Sequence, residues 1–228
     1  MEIRFRLMNN KLPFYHLVRK SNLENIPSPV LIMVHGYGSN EKDLFSFSRA
    51  IPEHITIISL RGDIEIQNNG YAWYNISLDF SGNKSYDIKK AHESRDKIVK
   101  CIDQCKKMYN IDNKNITLMG FSQGSMLVNA VALSFPEKVN NIISLSGAFD
   151  PNIIEISEIK SLKKLSFYVS HGTQDEILPF ELSKQSLKIL DQNDVNYIFE
   201  EYPIGHGVSP DNFKSMLKWM NEKINSPL

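Results

Sequence analysis

The stretch Gly120-Phe121-Ser122-Gln123-Gly124 constrains this chain more than any other. A serine stands between glycines, in the pattern G-x-S-x-G. Before it runs Asn115-Ile116-Thr117-Leu118-Met119, a short apolar segment of strand type. After it runs Ser125 to Leu133, which reads as a buried helix. A sharp strand-to-helix turn lifts a serine hydroxyl clear of the backbone, and small neighbours let strand and helix approach. The helix start behind it turns unpaired N–H groups toward any negative charge that develops there. The arrangement is that of a nucleophile elbow, whereas the same five residues in isolation are compatible with an ordinary loop.

A serine hydroxyl is a weak nucleophile at neutral pH. It needs a histidine to take its proton and a carboxylate to orient that histidine. Of the six histidines, His206 follows a predicted strand (195–202) and sits in Gly205-His206-Gly207. One strand earlier, 165–170 leads into His171-Gly172-Thr173-Gln174-Asp175. The order Ser122, Asp175, His206 along the chain, each after a strand, is the order of α/β hydrolases. Asp150 also follows a strand end and is the competing acid. Asp194 and Asp211 read as a turn residue and a helix-start residue.

The flanking pattern agrees. Val30 to Val34 and Ile55 to Leu60 are continuous apolar runs, as in strands covered on both faces. Strands are also predicted at 139–146, 165–170 and 195–202. Helices are predicted near 41–50, 88–109, 180–190 and 209–224. Alternation of strand and helix implies a mostly parallel central sheet with helices on both faces. Residues 2–8 and 14–18 suggest an N-terminal antiparallel hairpin. No linker or repeat interrupts the pattern, so residues 1–228 are expected to form one α/β-hydrolase domain.

The loop His35-Gly36-Tyr37-Gly38 after the 30–34 strand can place one backbone N–H against an oxyanion, most simply that of Tyr37; Gln123, after the nucleophile, supplies the second. His35 itself is expected to be structural. The irregular stretch 61–87 contains Trp73 and Tyr74, candidates to line a substrate pocket.

Lys plus Arg and Asp plus Glu number 26 each. Zero net charge supplies no field for nucleic acid or an anionic membrane. No signal-peptide core or span-length apolar run is present, so a cytoplasmic location without stable membrane insertion is expected. Cys101 and Cys105, at i and i+4, match neither a redox nor a zinc spacing and read as buried thiols.

Taken together, the segments His35-Gly36-Tyr37-Gly38, Tyr71-Ala72-Trp73-Tyr74-Asn75-Ile76, Gly120-Phe121-Ser122-Gln123-Gly124, Leu145-Ser146-Gly147, His171-Gly172-x-x-Asp175 and Gly205-His206 resemble the phospholipase/carboxylesterase family of α/β hydrolases, which includes acyl-protein thioesterases. The resemblance covers nearly the whole chain. It implies a Ser122–His206–Asp175 triad, oxyanion donors at Tyr37 and Gln123, and hydrolysis of small-molecule esters or thioesters without metal or cofactor. Relatives usually carry Leu where Tyr37 stands, and often Gly where Ser125 stands. The expected activity is a serine carboxylesterase for short- to medium-chain esters. A thioesterase or lysophospholipase for longer chains is the alternative, and a catalytically silent binding module is the alternative of another class. A homodimer is left open.

Overall fold

A computed structural model describes residues 12–78, 84–156 and 159–224 of the chain. In chain order the strands are β1 (His16–Arg19), β2 (Ser28–Val34), β3 (Thr56–Leu60), β4 (Ile64–Ile66), β5 (Gly70–Ala72), β6 (Ile76–Leu78), β7 (Lys84–Tyr86), β8 (Ile111–Phe121), β9 (Asn141–Leu145), β10 (Ser166–Gly172) and β11 (Asn196–Tyr202). The helices are α1 (Lys42–Phe45), α2 (Ile88–Met108), α3 (Gln123–Ser134), α4 (Ile159–Leu162), α5 (Phe180–Ser186), α6 (Lys188–Gln192) and α7 (Pro210–Lys223).

Seven strands form the central sheet, in the order β1-β3-β2-β8-β9-β10-β11. All neighbours are parallel except β1, which runs antiparallel to β3 with His16 opposite Leu60. The predicted segment 2–8 lies outside the described residues. The antiparallel pair seen at this end is β1 with β3.

Alternation inside apolar strands sets the two layers. On β2, Val30, Ile32 and Val34 face one core with Leu118, Ile142 and Phe167. Leu31 and Met33 face the other with Ile57, Met119 and Tyr168. Helices α2 and α3 cover the first face through Ile98, Ile102, Leu127 and Val131. Helices α1 and α7 cover the second through Leu44, Phe45, Met216 and Met220. Removing such a side chain from water contributes roughly 1.5–3 kcal/mol, so both layers are held by burial. The longer helices begin where the sequence supplies caps. Asp87 accepts from the Lys90 amide at the start of α2, and Ser209 accepts from Asn212 before Pro210 opens α7.

Cys101 and Cys105 are buried on α2 with their sulfurs 3.9 Å apart, and both are free thiols. The contact with Cys101, together with burial, pushes the Cys105 thiol up. Among the described residues no helix is long and apolar enough to cross a membrane.

The elements that carry chemistry all end on one rim. β2, β8, β10 and β11 deliver the 35–38 loop, Ser122, the 173–175 turn and the 203–207 loop, respectively. In parallel sheets this carboxyl-end rim is where ligands bind. The stretch 61–87 is more ordered than a loop. β4 pairs with β5, and β6 pairs with β7, as two short antiparallel ribbons above that rim.

Candidate active site

Ser122 is the single residue between β8 and α3. Its backbone sits at φ 52° and ψ −117°. A non-glycine residue there stores on the order of 1–3 kcal/mol of strain, which the surroundings must hold. They do so from both sides. The Ser122 amide donates to Leu145 O at 2.9 Å, and the Ser122 carbonyl accepts the first helical bond from Met126 at 3.1 Å. The Ser122 side chain does not cap the helix, so its hydroxyl is not spent on α3. The turn also demands a bare backbone two residues on. A Cβ at Gly124 would lie 2.1 Å from Val34 O and 2.5 Å from His35 O, so α3 starts hard against the end of β2. Ser125 finds its partner in Ser144, whose hydroxyl lies 2.7 Å away.

Asp175 and His206 are joined by a continuation of the β10–β11 pairing. Thr173 N donates to Tyr202 O at 2.8 Å and Gln174 N to Ile204 O at 3.0 Å. A Cβ at Gly172 would lie 2.3 Å from Gly205 O, so only glycine lets the two loops approach this closely. His206 Nδ1 then meets Asp175 Oδ2 at 2.7 Å. A carboxylate can only accept, so Nδ1 carries a proton, and in the neutral ring Nε2 is the nitrogen with the lone pair. Asp175 is buried, and its Oδ1 accepts the Ile177 and Leu178 amides, each at 2.9 Å. His206 is partly open to solvent and packs against the Phe121 ring with centroids 4.9 Å apart. Ser146 Oγ donates to Gly207 O at 3.2 Å and ties the histidine loop to the end of β9. Asp150, the competing acid, is occupied elsewhere: it accepts from the Tyr86 hydroxyl and the Asn152 amide.

The 35–38 loop is stitched to the strand β5. Gly38 N donates to Tyr71 O and Tyr71 N to Ser39 O, at 3.0 and 2.7 Å. Among the described residues neither the Tyr37 nor the Gln123 amide has a hydrogen-bond partner. The Gln123 side chain has a role that sequence did not signal. Its Oε1 accepts from Trp73 N at 3.0 Å and its Nε2 donates to Tyr74 O at 2.8 Å. It clamps the 73–74 backbone over the elbow. Glu41 and Arg61 brace the same region as a two-pronged ion pair of 2.5 and 2.7 Å, with the Arg61 guanidinium over the Tyr15 and Tyr71 rings.

His35 is structural, as expected. It is buried, its Nδ1 donates to Gly36 O at 2.7 Å, and its Nε2 accepts the Gly62 amide at 3.0 Å. Burial holds its pKa below the ordinary 6.5. The unfolded chain takes up that proton near the ordinary value, the folded chain only at lower pH. Stability present above about pH 6.5 is therefore lost as pH falls toward the folded value. His16, also lowered by burial, acts in the same direction. Urea midpoints should fall between pH 7.5 and 5, and the fall should be shallower in His35→Gln. An equal slope in that variant would remove His35 as the cause.

A cavity of about 480 Å³ opens at Ser122. Gln123 and His206 line it beside the serine, and Tyr37 and Gly36 form one lip. Tyr74, Ile76, Met126, Ile177 and Leu178 make its apolar wall. Asp43, bound through Oδ2 by Ser39 Oγ at 2.7 Å, is the one carboxylate among its lining residues. Of the two aromatic candidates, Tyr74 is on this wall and Trp73 is not. Trp73 is fully buried behind the cavity, its Nε1 on His35 O at 2.8 Å and its ring edge-on to Phe14. It supports the loop and does not line the pocket. Among the described residues no group of three or more His, Cys, Asp or Glu is placed to hold a metal ion.

Comparison with known proteins identifies the family. Residues 21–224 match the family described as Phospholipase/Carboxylesterase. "Probable carboxylesterase SOBER1-like" of Arabidopsis thaliana is 29% identical over 118 residues, 51% of this chain and 45% of that protein. The chain thus matches less than half the length of that relative. "Acyl-protein thioesterase 1" of Emericella nidulans is 26% identical over 216 residues, 85% of this chain and 90% of that one. The crystal structure of the Bacillus cereus carboxylesterase superposes with a TM-score of 0.80 at 18% identity, covering 92% of this chain and 95% of that one, a likeness of fold. The elbow, the paired strand-end loops and the match over residues 21–224 lead to one conclusion: the chain belongs to the phospholipase/carboxylesterase family of α/β hydrolases.

Proposed function

We propose that this protein is a serine carboxylesterase acting on short- to medium-chain esters through an acyl-enzyme. The observation that carries the reading is the 2.7 Å contact of His206 Nδ1 with Asp175 Oδ2 beside the cavity that holds Ser122. His206 Nε2 takes the Ser122 proton as Oγ attacks the ester carbonyl carbon. Asp175 keeps the imidazole in the required tautomer and offsets the charge of the imidazolium. The tetrahedral oxyanion accepts from the unpartnered amides of Tyr37 and Gln123. One such donor is worth roughly 10²–10³ in rate in a known hydrolase. Collapse of the intermediate expels the alcohol, which receives the proton from His206. Water then repeats the sequence on the acyl-enzyme and releases the acid.

The acyl chain is assigned to the wall of Tyr74, Ile76 and Met126, an apolar surface beside the elbow. A second reading, hydrolysis of longer acyl chains or thioesters, draws on the apolar lip. Tyr37, Ile76 and Ile177 line the cavity and are also exposed large apolar residues. Rates on p-nitrophenyl esters from acetate to palmitate separate the two. The expected maximum lies at short to medium chains. A maximum at palmitate moves the assignment to long-chain substrates. Absence of turnover, together with failure of a fluorophosphonate probe to label Ser122 in folded protein, removes the hydrolase reading altogether.

A further inference from the structure

Asp175 has a second histidine on it that the mechanism above does not use. His171 lies on β10, one turn before the acid, and its side chain is wholly buried. Its Nε2 is 3.1 Å from Asp175 Oδ2 and 2.8 Å from Leu178 O. Both oxygens can only accept, so Nε2 carries the proton; it donates it to Leu178 O and lies in close contact with Asp175 Oδ2 beside it. His171 Nδ1 is buried and has no partner among the described residues. A bare lone pair is the tolerable state there, because a second buried N–H would be an unpaired donor. The Asp175 carboxylate is thus fixed by three donors and the close His171 ring edge. Oδ1 takes two backbone amides, and Oδ2 takes His206 Nδ1 with His171 Nε2 at 3.1 Å beside it. The His171 ring also faces Phe180, with centroids 6.2 Å apart.

The two amide bonds come from residues 177 and 178, which belong to the same short loop as the acid. His171 is different, because it reaches the carboxylate from inside the sheet. The same N–H pins Leu178 O, and Leu178 lines the cavity. We infer that His171 is a positioning residue that locks the Asp175 carboxylate, and the cavity wall beside it, against the rigid end of β10, so that His206 is held in line with Ser122. The inference rests on the triad reading given above. Misplacing a catalytic group by about 1 Å can cost on the order of 10² in rate, so the effect should appear in kcat while substrate binding is largely kept.

The test compares His171→Leu, His171→Gln and His171→Asn with the wild type on p-nitrophenyl butyrate. It also follows the downfield proton resonance of the hydrogen-bonded His206 Nδ1–H. Gln places an N–H where His171 Nε2 stands, whereas Asn stops short of it. For Leu and Asn, kcat should fall between about tenfold and a hundredfold, KM should stay within about threefold, and the resonance should weaken or broaden. His171→Gln should return kcat to within about threefold of wild type and restore the resonance. If His171→Leu fails to fold, the Asn–Gln comparison carries the test. Unchanged kcat in Leu and Asn, or a Gln variant as impaired as Asn, overturns the inference. Fluorophosphonate labelling separates the two levels. A wild type that is not labelled at Ser122 removes the triad and this inference with it. A labelled wild type with His171→Asn labelled equally fast removes the positioning role alone.

Discussion

Ser122→Ala should leave a folded protein that has lost ester hydrolysis by a factor on the order of 10⁶ in kcat, the scale measured when a triad nucleophile is removed in a known hydrolase. Alanine tolerates the φ of 52° no worse than serine does. The bonds that hold the turn, Ser122 N to Leu145 O and Met126 N to Ser122 O, are backbone bonds and survive. The fold should therefore persist while the attacking atom is gone. Ser122→Gly adds a second reading of the same site. Glycine occupies positive φ freely, so it relieves strain that serine stores there. It should be equally inactive and unfold at a higher temperature than Ser122→Ala. A serine kept at a strained position, where glycine is more stable and inert, is held for its hydroxyl. Activity retained in Ser122→Ala at more than a thousandth of the wild-type rate would sink the nucleophile assignment.

Much of this site is legible in the sequence because its parts are local. The G-x-S-x-G turn, the apolar runs of β2 and β3 and the loops after β10 and β11 each announce themselves within about ten residues. What escaped depends on contacts between distant segments. The partner of β1 is β3, some forty residues on, and no local pattern gives that register. The stretch 61–87 reads as irregular because strands of three residues, β4 to β7, are too short to display a period of two. The helix expected at 180–190 divides at Leu187 into α5 and α6 without a glycine or proline to mark the break. Trp73 and Tyr74 are adjacent and chemically alike, yet one supports the loop and the other lines the cavity. Gln123, fifty residues away, clamps both backbones, and the bond from Trp73 Nε1 to His35 O holds the indole inside. His171 was visible as part of a motif. Its grip on Asp175 becomes apparent only once the turn folds the two side chains together.

Asp175→Asn should lower kcat by roughly 10⁴, as the equivalent change does in a serine protease triad, and the reason lies in the donors around the carboxylate. Oδ1 receives two amide protons, and Oδ2 receives the His206 Nδ1 proton with the His171 Nε2–H 3.1 Å away. An asparagine has one oxygen to offer. If its oxygen faces the amides of Ile177 and Leu178, its NH₂ meets the N–H groups of His206 and His171. If it is flipped, the NH₂ meets the two backbone amides. Neither orientation avoids donor against donor. The least costly escape moves the His206 proton to Nε2, leaving Nδ1 as an acceptor. That tautomer presents an N–H to Ser122 and cannot take its proton, so acylation fails while the cavity and KM are largely kept. The competing acid is tested alongside. Asp150 already accepts from Tyr86 and Asn152, and Asp150→Asn should keep kcat within a few-fold of wild type. Should Asp175→Asn stay within tenfold and Asp150→Asn collapse instead, the acid would be Asp150 and the contact between Asp175 and His206 merely structural.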